Sequence, residues 1–238
     1  MLEIKNLFKS YVSGVYAVDN LSITVNDGEI YGFIGHNGAG KSTTIKCVVG
    51  AHDFDQGEII LDGLNIKSAP IEYKKKLAYI ADNPDIYDFM SGIKYLNFIA
   101  DVFLVPTKER TELIKKYAEM FEIEKALGDA ISSYSHGMRQ KLAIISALIH
   151  KPKLLVLDEP FVGLDPKAAH TLKTIMRELT ENGTIIFFST HVLEVAEKLC
   201  DRVAIIKGGK LLVEGNMEEV TANSSLESVF LSLANDGE

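Results

Sequence analysis

Residues 35–42 read Gly35-His36-Asn37-Gly38-Ala39-Gly40-Lys41-Ser42, which matches the pattern GxxxxGK[ST]. The small residues of this segment, hereafter the phosphate loop, let backbone amides close around phosphate oxygens. Residues 29–34 are typical of a short buried strand, and residues 41–49 favour a helix whose positive N-terminal end points at the same anion. The order of strand, loop and helix predicts a nucleotide-binding site, whereas a plain glycine-rich turn would need neither flank.

The expected contacts of the phosphate loop follow from its residue types. Lys41 carries a charge that can reach the β- and γ-phosphates, and the hydroxyl of Ser42 is a suitable ligand for Mg²⁺. We therefore expect all eight residues of the loop, together with Thr43 after it, to contact the nucleotide.

A second motif lies at the end of another predicted strand. The apolar run 154–157 is followed by Asp158, Glu159 and Pro160. Sheets of α/β proteins bind ligands at the carboxyl ends of their strands, and adjacent residues there point in different directions. We therefore expect Asp158 to bind Mg²⁺ through water, and Glu159 to be the general base that polarises the attacking water. The alternative is an acidic turn that caps the next helix.

The rest of the chain predicts an α/β protein that contains a largely helical segment. Residues 2–31 read as antiparallel strands, because turn residues occur at 12–14 and 26–28. The apolar spacing of residues 85–150 is mostly helical, and the run 184–188 favours a strand buried on both faces. A hairpin is predicted at 203–213 with its turn at Gly208 and Gly209. Apolar residues spaced over 226–233 predict an amphipathic helix that docks on the body.

Composition and charge disfavour several classes of protein. Lys and Arg number 25 against 33 Asp and Glu, and the net charge of −8 argues against a nucleic-acid partner. The cysteines Cys47 and Cys200 form no CxxC pair or Cys/His cluster, so we expect buried thiols in a reducing compartment rather than zinc or disulfides. We expect no membrane-spanning helix, because the apolar stretch 96–105 is short, and no signal peptide at the N-terminus.

A third motif, Tyr134-Ser135-His136-Gly137-Met138, precedes a predicted apolar helix for which Ser135 is a plausible cap. With the phosphate loop before it and Asp158-Glu159 after it, the chain resembles the nucleotide-binding subunits of ABC transporters over nearly its whole length. In that family the third motif is the signature motif, usually LSGGQ. Ser135 and Gly137 are retained here, whereas His136 and Met138 replace the commoner Gly and Gln.

The resemblance implies a fold and a division of the chain. The fold would be a P-loop NTPase (RecA-like) α/β core with an antiparallel β subdomain and an ABC-type helical subdomain, all within one ABC ATPase domain over 1–238. The core and β subdomain would take residues 1–84 and 151–217, the helical signature subdomain 85–150, and a C-terminal helical tail 218–238.

The resemblance also implies a composite site with ATP and Mg²⁺ as cofactors. Two ATPase subunits, as a homodimer or a heterodimer, would bind two ATP, with the phosphate loop of one subunit facing Ser135 and Gly137 of the other. The N-terminus of the helix after Ser135 suits this role, because its amides and hydroxyl can bind a γ-phosphate.

Further positions match the family one by one. Tyr11 matches the aromatic residue that stacks on adenine, with Tyr16 as its rival, and either could be a strand aromatic instead. The segment Gly163-Leu164-Asp165 matches the D-loop that crosses the dimer seam, and His191 matches the switch histidine that contacts the γ-phosphate. Asp82 stands where the family commonly has a Gln that senses Mg²⁺. It is either a further Mg²⁺ ligand or a turn residue beside Asn83.

The function implied by the resemblance is ATP hydrolysis that drives a separate integral-membrane permease. The chain would lie peripherally on the cytoplasmic side of the cell membrane and accept a short permease helix on the segment 85–130. The form of the signature motif and the tail 225–231 resemble the exporter branch that pairs with ABC-2-type permeases. Two alternatives are a soluble ABC ATPase without a transport role and a low-turnover partner in a heterodimer.

Overall fold

The fold comes from a computed structural model that describes residues 1–222 and 224–235, with strands and helices alternating along much of the chain. The strands are β1 Leu2–Val12, β2 Val15–Val25, β3 Ile30–Ile34, β4 Gln56–Leu61, β5 Leu64–Asn65, β6 Leu77–Ile80, β7 Leu154–Asp158, β8 Ile185–Thr190, β9 Arg202–Lys207 and β10 Lys210–Asn216. The α-helices are α1 Lys41–Val48, α2 Pro70–Lys75, α3 Gly92–Val102, α4 Thr107–Met120, α5 His136–Leu148, α6 Pro166–Glu181, α7 Leu193–Leu199, α8 Met217–Val220 and α9 Leu226–Asn235. Short 3-10 turns occur at Glu124–Ala126 and Ile131–Ser133.

The central sheet has the strand order β10-β9-β3-β8-β7-β6. Its strands from β9 to β6 pair in parallel, and only β10 joins β9 as an antiparallel hairpin. The residues of β3, β7 and β8 are buried on both faces, as expected for a parallel sheet that is covered on both sides. The predicted buried strands and the 203–213 hairpin are confirmed.

The two faces of the central sheet contribute to different hydrophobic clusters. Side chains alternate along a strand, so Tyr31 and Phe33 of β3 point to one face while Ile30 and Ile34 point to the other. The first face packs with Phe187 against α1 and a second sheet of order β2-β1-β4-β5, in which all strand pairs are antiparallel. The opposite face packs against the helices.

The helical segment and the tail helix bury the apolar faces that the sequence predicts. On α3, Leu96 and Ala100 are fully buried, and on α4 Tyr117 is buried toward the same core. Leu226 at the start of α9 is also fully buried, so the predicted docking of the tail helix is confirmed for 226–233. The predicted tail also includes 223 and 236–238, which lie outside the described residues. Within the described part of the chain, no helix is long and apolar enough to cross a bilayer.

Gly32, in the middle of β3, leaves room for Cys200. A Cβ at position 32 would lie 2.6 Å from Sγ of Cys200, which is too close for two heavy atoms. We predict that Gly32→Ala lowers the free energy of unfolding by about 1–3 kcal/mol, because a packed core tolerates extra volume poorly. Urea unfolding of the purified chain measures this change.

The control for Gly32→Ala is the double variant with Cys200→Ala. Removing Sγ leaves the Cβ of residue 200 at 3.6 Å from the new methyl group, which is an ordinary contact. The free energy lost by the two substitutions together should therefore be smaller than the sum of their separate losses. A strictly additive loss would contradict this packing argument.

Candidate functional site

A cavity of about 270 Å³ opens at the carboxyl edge of the central sheet. It lies where the phosphate loop, the end of β7 and the segment after β6 meet. Its lining consists of Ala17, His36, Asn37, Gly38, Gly40, Lys41, Ser42, Thr43, Asp82, Asp158 and Glu159. The structure therefore brings most of the predicted loop together with the two predicted acidic residues and Asp82.

The glycines of the phosphate loop allow close approach of the backbone. Gly40 has φ of 105°, and a Cβ there would lie 2.4 Å from the carbonyl oxygen of Ala17. A Cβ on Gly35 would lie 2.7 Å from the carbonyl oxygen of Ile206. Only glycine fits at these positions, so the loop curls tightly and α1 begins at its end with amides that have no side-chain cap. Such amides can bind an anion.

Lys41 lies inside the loop and is buried. Its Nζ donates to the carbonyl oxygen of Gly35 at 2.6 Å and to that of His36 at 3.3 Å. Burial lowers the pKa of Lys41, and the negative charges of Glu159 and Asp158 oppose that shift. The ammonium is thus held at the cavity by carbonyl oxygens that phosphate oxygens could replace.

Asp158 is the last residue of β7 and is buried beside β8. The hydroxyl of Ser189 donates to Oδ1 of Asp158, and the backbone amide of Glu159 donates to both oxygens of Ser189 at 3.3 Å. Glu159 has φ of 51°, in the left-handed region that non-glycine residues seldom adopt. Ser189 therefore fixes the turn at which the two acidic side chains diverge.

His191 lies next to the carboxylate of Glu159. Its Nδ1 is 3.0 Å from Oε1 of Glu159, whose side chain is mostly buried while that of His191 is more than half exposed. The turn after β8 is held by the amide of Val192, which donates to Oγ1 of Thr190 at 3.0 Å. Glu159 and His191, the predicted catalytic pair, are therefore in contact, although Glu159 follows β7 and His191 follows β8.

The residues at the cavity suit a magnesium nucleotide. Ser42, Asp82 and Asp158 all line it, and hydroxyl and carboxylate oxygens are the ligands that Mg²⁺ prefers. The ammonium of Lys41 and the uncapped amides of α1 complement phosphate charge.

Comparison with known proteins agrees with this geometry. The family model described as ABC transporter matches residues 18–162, a span that includes the phosphate loop, the signature motif, Asp158 and Glu159. The chain belongs to the ABC transporter family.

The relatives of this ABC protein include two ATP-binding proteins of Bacillus subtilis (strain 168). The uncharacterized ABC transporter ATP-binding protein YhcH is 37% identical over 220 residues, which are 92% of this chain and 71% of YhcH. The ABC-type transporter ATP-binding protein EcsA is 31% identical over 241 residues, 99% of this chain and 97% of EcsA. A solved ATP-binding subunit of an ABC transporter superposes with a TM-score of 0.95 at 31% identity and covers 99% of this chain and 100% of its own.

Family membership settles the class of activity and of fold. The chain is an ATPase coupled to transport, it binds ATP with Mg²⁺, and it has the P-loop NTPase fold of ABC ATPases.

In this ABC ATPase the signature motif and the helix after it contact the D-loop of the same chain and do not line the cavity in the described residues. Ser135 caps α5 by accepting a hydrogen bond from the amide of Met138 at 3.2 Å, as predicted. The ring of His136 occupies the space beside Gly163, where a Cβ would lie 2.5 Å from Cδ2 of the ring. Nζ of Lys141 lies 2.8 Å from Oδ2 of Asp165, and hydrogen bonding to Lys141 lowers the pKa of Asp165.

Gly137 also lies close to the D-loop. A Cβ on Gly137 would be 3.1 Å from the carbonyl oxygen of Gly163, so the two glycine backbones approach closely. Neither Ser135 nor Gly137 is among the residues that line the cavity in the described chain.

Tyr11 and Tyr16, the two candidates for stacking on adenine, also lie outside the cavity lining of the described residues. The hydroxyl of Tyr11 shares a hydrogen bond of 2.8 Å with Nδ1 of His52, and its ring meets that imidazole edge-on. Tyr16 packs edge-on against Phe8, with the ring centroids 5.6 Å apart. Both rings are largely exposed, and the role of Tyr11 stays a prediction.

No sequence motif predicts the part that Ala17 and Ser189 take in the site. Ala17 lines the cavity from β2 and has no distinguishing chemistry. Ser189 could have been noticed as a polar residue at the end of the apolar run 184–188, but its contact with Asp158 depends on the pairing of β7 with β8.

We predict that Ser189→Ala impairs hydrolysis and folding together. Asp158 would lose its buried donor and the Glu159 amide an acceptor, which should lower the free energy of unfolding by about 1–3 kcal/mol. The ATPase rate at saturating ATP should fall by about tenfold or more, since 1.4 kcal/mol corresponds to tenfold. Steady-state kinetics and urea unfolding measure both.

Ser146→Ala is the matched control. Ser146 is also buried, and its hydroxyl donates to the carbonyl oxygen of Ala143 at 2.8 Å on α5, away from the cavity. This variant should lose stability without a comparable loss of rate. A Ser189→Ala chain that hydrolyses ATP like the wild type would rule out the positioning of Asp158 and Glu159 by Ser189.

Proposed function

We propose that this ABC ATPase dimerises around two ATP and drives a separate integral-membrane permease, in an exporter, from the cytoplasmic side of the cell membrane. The proposal is supported mainly by the separation of the phosphate-binding residues from the signature motif within one chain. Lys41, Asp158 and Glu159 line one cavity, with His191 in contact with Glu159, whereas the signature motif of the same chain lies elsewhere, joined to the D-loop.

In the proposed hydrolysis, Glu159 polarises a water for attack on the γ-phosphorus while the bond from that phosphorus to the β-phosphate oxygen breaks. Lys41 neutralises the β- and γ-phosphate charge. His191 lies against the carboxylate of Glu159 and would hold it toward the water and contact the γ-phosphate. Ser42, Asp158 and Asp82 would hold Mg²⁺, which supplies further neutralisation of phosphate charge. The products are ADP and phosphate.

A second subunit would complete the site. Ser135 is exposed at the N-terminus of α5, a helix end with a positive dipole that favours a γ-phosphate. The contacts of His136 with Gly163 and of Lys141 with Asp165 join the signature motif to the D-loop. The signature motif and the D-loop would therefore reach the partner together, whether the partner is a second copy of this chain or a related subunit.

The permease contact is proposed for the helical segment 85–130. A mainly apolar groove of about 410 Å³ lies between β6, α3 and α5, with Tyr95, Ile99 and Phe103 on one wall. His150 stacks on Phe103 with ring centroids 3.7 Å apart, and burial lowers the pKa of His150, which favours its neutral form. A short apolar helix of a permease suits such a groove.

Exposed aromatic rings adjoin this groove, since the ring of Tyr87 lies 6.2 Å from that of Tyr95. Phe89 is 81% exposed, and the rings of Phe89 and Phe98 both lie 5.8 Å from Tyr87. Tyr87 and Phe89 follow Asp82, which lines the cavity, by five and seven positions along the chain. A permease docked here would therefore sense nucleotide-dependent movement near Asp82. The exporter direction is supported by the form Tyr134-Ser135-His136-Gly137-Met138 of the signature motif.

We predict that Glu159→Gln lowers the ATPase rate by about 10²- to 10⁴-fold, because the amide cannot accept a proton from water. ATP binding should persist, and the ATP-bound dimer should accumulate. Phosphate release measures the rate, and size-exclusion chromatography with ATP and Mg²⁺ measures the dimer.

Glu72→Gln is the isosteric control, since Glu72 is exposed on α2 and is paired with Lys75. It should leave rate and dimerisation unchanged. Hydrolysis that continued unchanged in Glu159→Gln would remove Glu159 as the base. A wild-type chain with negligible turnover would favour a low-turnover partner in a heterodimer.

We predict that Phe89→Ser weakens the permease complex by about tenfold while ATPase activity of the isolated chain is kept, because burial of a Phe side chain contributes about 1.5–3 kcal/mol. Affinity purification from detergent-solubilised membranes of the native cell measures the complex, with the co-purified membrane protein identified by sequencing.

Leu231→Ser is the matched control, because Leu231 is also exposed but lies on α9. It should recover as much membrane protein as the wild type. Equal losses in both variants, or no membrane protein with any variant, would contradict docking at this surface. Recovery of ribosomes instead would favour the soluble alternative.

A further inference from the structure

We propose that Phe230, on the tail helix α9, is a positioning residue for ATP binding that acts through His36 of the phosphate loop. The ring of Phe230 packs on the imidazole of His36, with ring centroids 4.5 Å apart and an angle of 51° between the planes. The two residues lie near opposite ends of the sequence, and nothing in the motif pattern relates them.

The helix that carries Phe230 is anchored to the body of the protein. Leu226, the first residue of α9, is fully buried, and its amide donates to Oε2 of Glu197 on α7 at 3.0 Å. Val229 and Leu233 also pack against the body. Phe230 is therefore held by anchored turns of helix, and α7, which anchors them, begins just after His191.

Phe230 and His36 share an apolar recess. Leu233 of the same helix, Ile206 of β9 and Leu212 of β10 line it with them. The ring of His36 is thus held against the tail helix and the β9-β10 hairpin. A tilted aromatic pair of this kind is worth about twofold to twelvefold in an equilibrium constant.

The backbone of His36 is part of the phosphate-binding geometry. Its carbonyl oxygen accepts a hydrogen bond from the amide of Ala39 at 3.1 Å and another from Nζ of Lys41 at 3.3 Å. Gly38 has positive φ and no neighbour within 4 Å of a Cβ built on it, so this part of the loop has little else to restrain it. Holding the His36 ring consequently limits the conformations of the carbonyl that helps to place Lys41.

The contact should act on binding and not on the chemical step. Glu159, Ser189 and His191 make contacts with one another that do not include Phe230. Without the Phe230 ring, the loop samples more conformations and ATP must order it on binding. The dissociation constant and KM for ATP should rise, while kcat should stay nearly constant.

The test compares Phe230→Ala with the wild type in the full chain. We expect the dissociation constant for a non-hydrolysable ATP analogue with Mg²⁺, measured by calorimetry, to rise about twofold to twelvefold. KM for ATP should rise by the same factor with kcat unchanged. Phe230→Tyr keeps the ring and should restore both values. Leu231→Ala, on the exposed side of the same helix, should change neither.

A double-mutant cycle with His36→Ala separates positioning from a general loss of packing. If Phe230 acts through His36, adding Phe230→Ala to His36→Ala causes no further rise in the dissociation constant. Additive effects would overturn the proposal. So would a Phe230→Ala chain with lowered Tm but unchanged affinity, or one that binds the analogue more tightly. Wild-type binding and hydrolysis are measured in parallel, so failure of this inference is distinct from failure of the proposed transport function.

Discussion

The parallel pairing of β8 with both β3 and β7 is the constraint on which the site depends. Ile34 is in register with Thr190, and Asp158 with Ser189. Parallel strands end at the same edge of a sheet, so the phosphate loop, the acidic pair and His191 emerge side by side. The left-handed backbone of Glu159 costs free energy at this edge, and the buried strands hold it in place.

The same sheet edge bears on the proposal that one chain forms only part of an active site. The cavity is lined by the phosphate loop and acidic residues, with His191 against Glu159, but the amides at the start of α5 belong to a different surface. His136 against Gly163 and Lys141 against Asp165 make that surface a single unit. Elements that are proposed to act together across a dimer seam are thus coupled within the chain, and α9 adds a contact from the tail to the phosphate loop.

Most elements near the motifs are predictable, because their patterns are local. The strand before the phosphate loop, the helix after it and the apolar runs of β7 and β8 lie where the sequence indicates. Residues 50–80, which form β4, β5, α2 and β6, fall within the predicted core and β subdomain, but the sequence predicts no individual strand or helix there. Asp62 and Gly63 have φ of 52° and 77°, and this Asp-Gly pair between β4 and β5 was an available hairpin signal. The strands it joins are short and mixed in polarity, so periodicity does not reveal them.

By itself the sequence determined the chemistry of this protein: a loop whose glycines admit phosphate, a lysine and serine at its end, and two carboxylates after an apolar strand. These features are contiguous, so residue type and spacing carry them. Only the tertiary structure decided which distant side chains meet, such as His191 with Glu159, Ser189 with Asp158 and Phe230 with His36. Those contacts join segments that strand order and helix packing bring together, and no local pattern in the chain encodes that order.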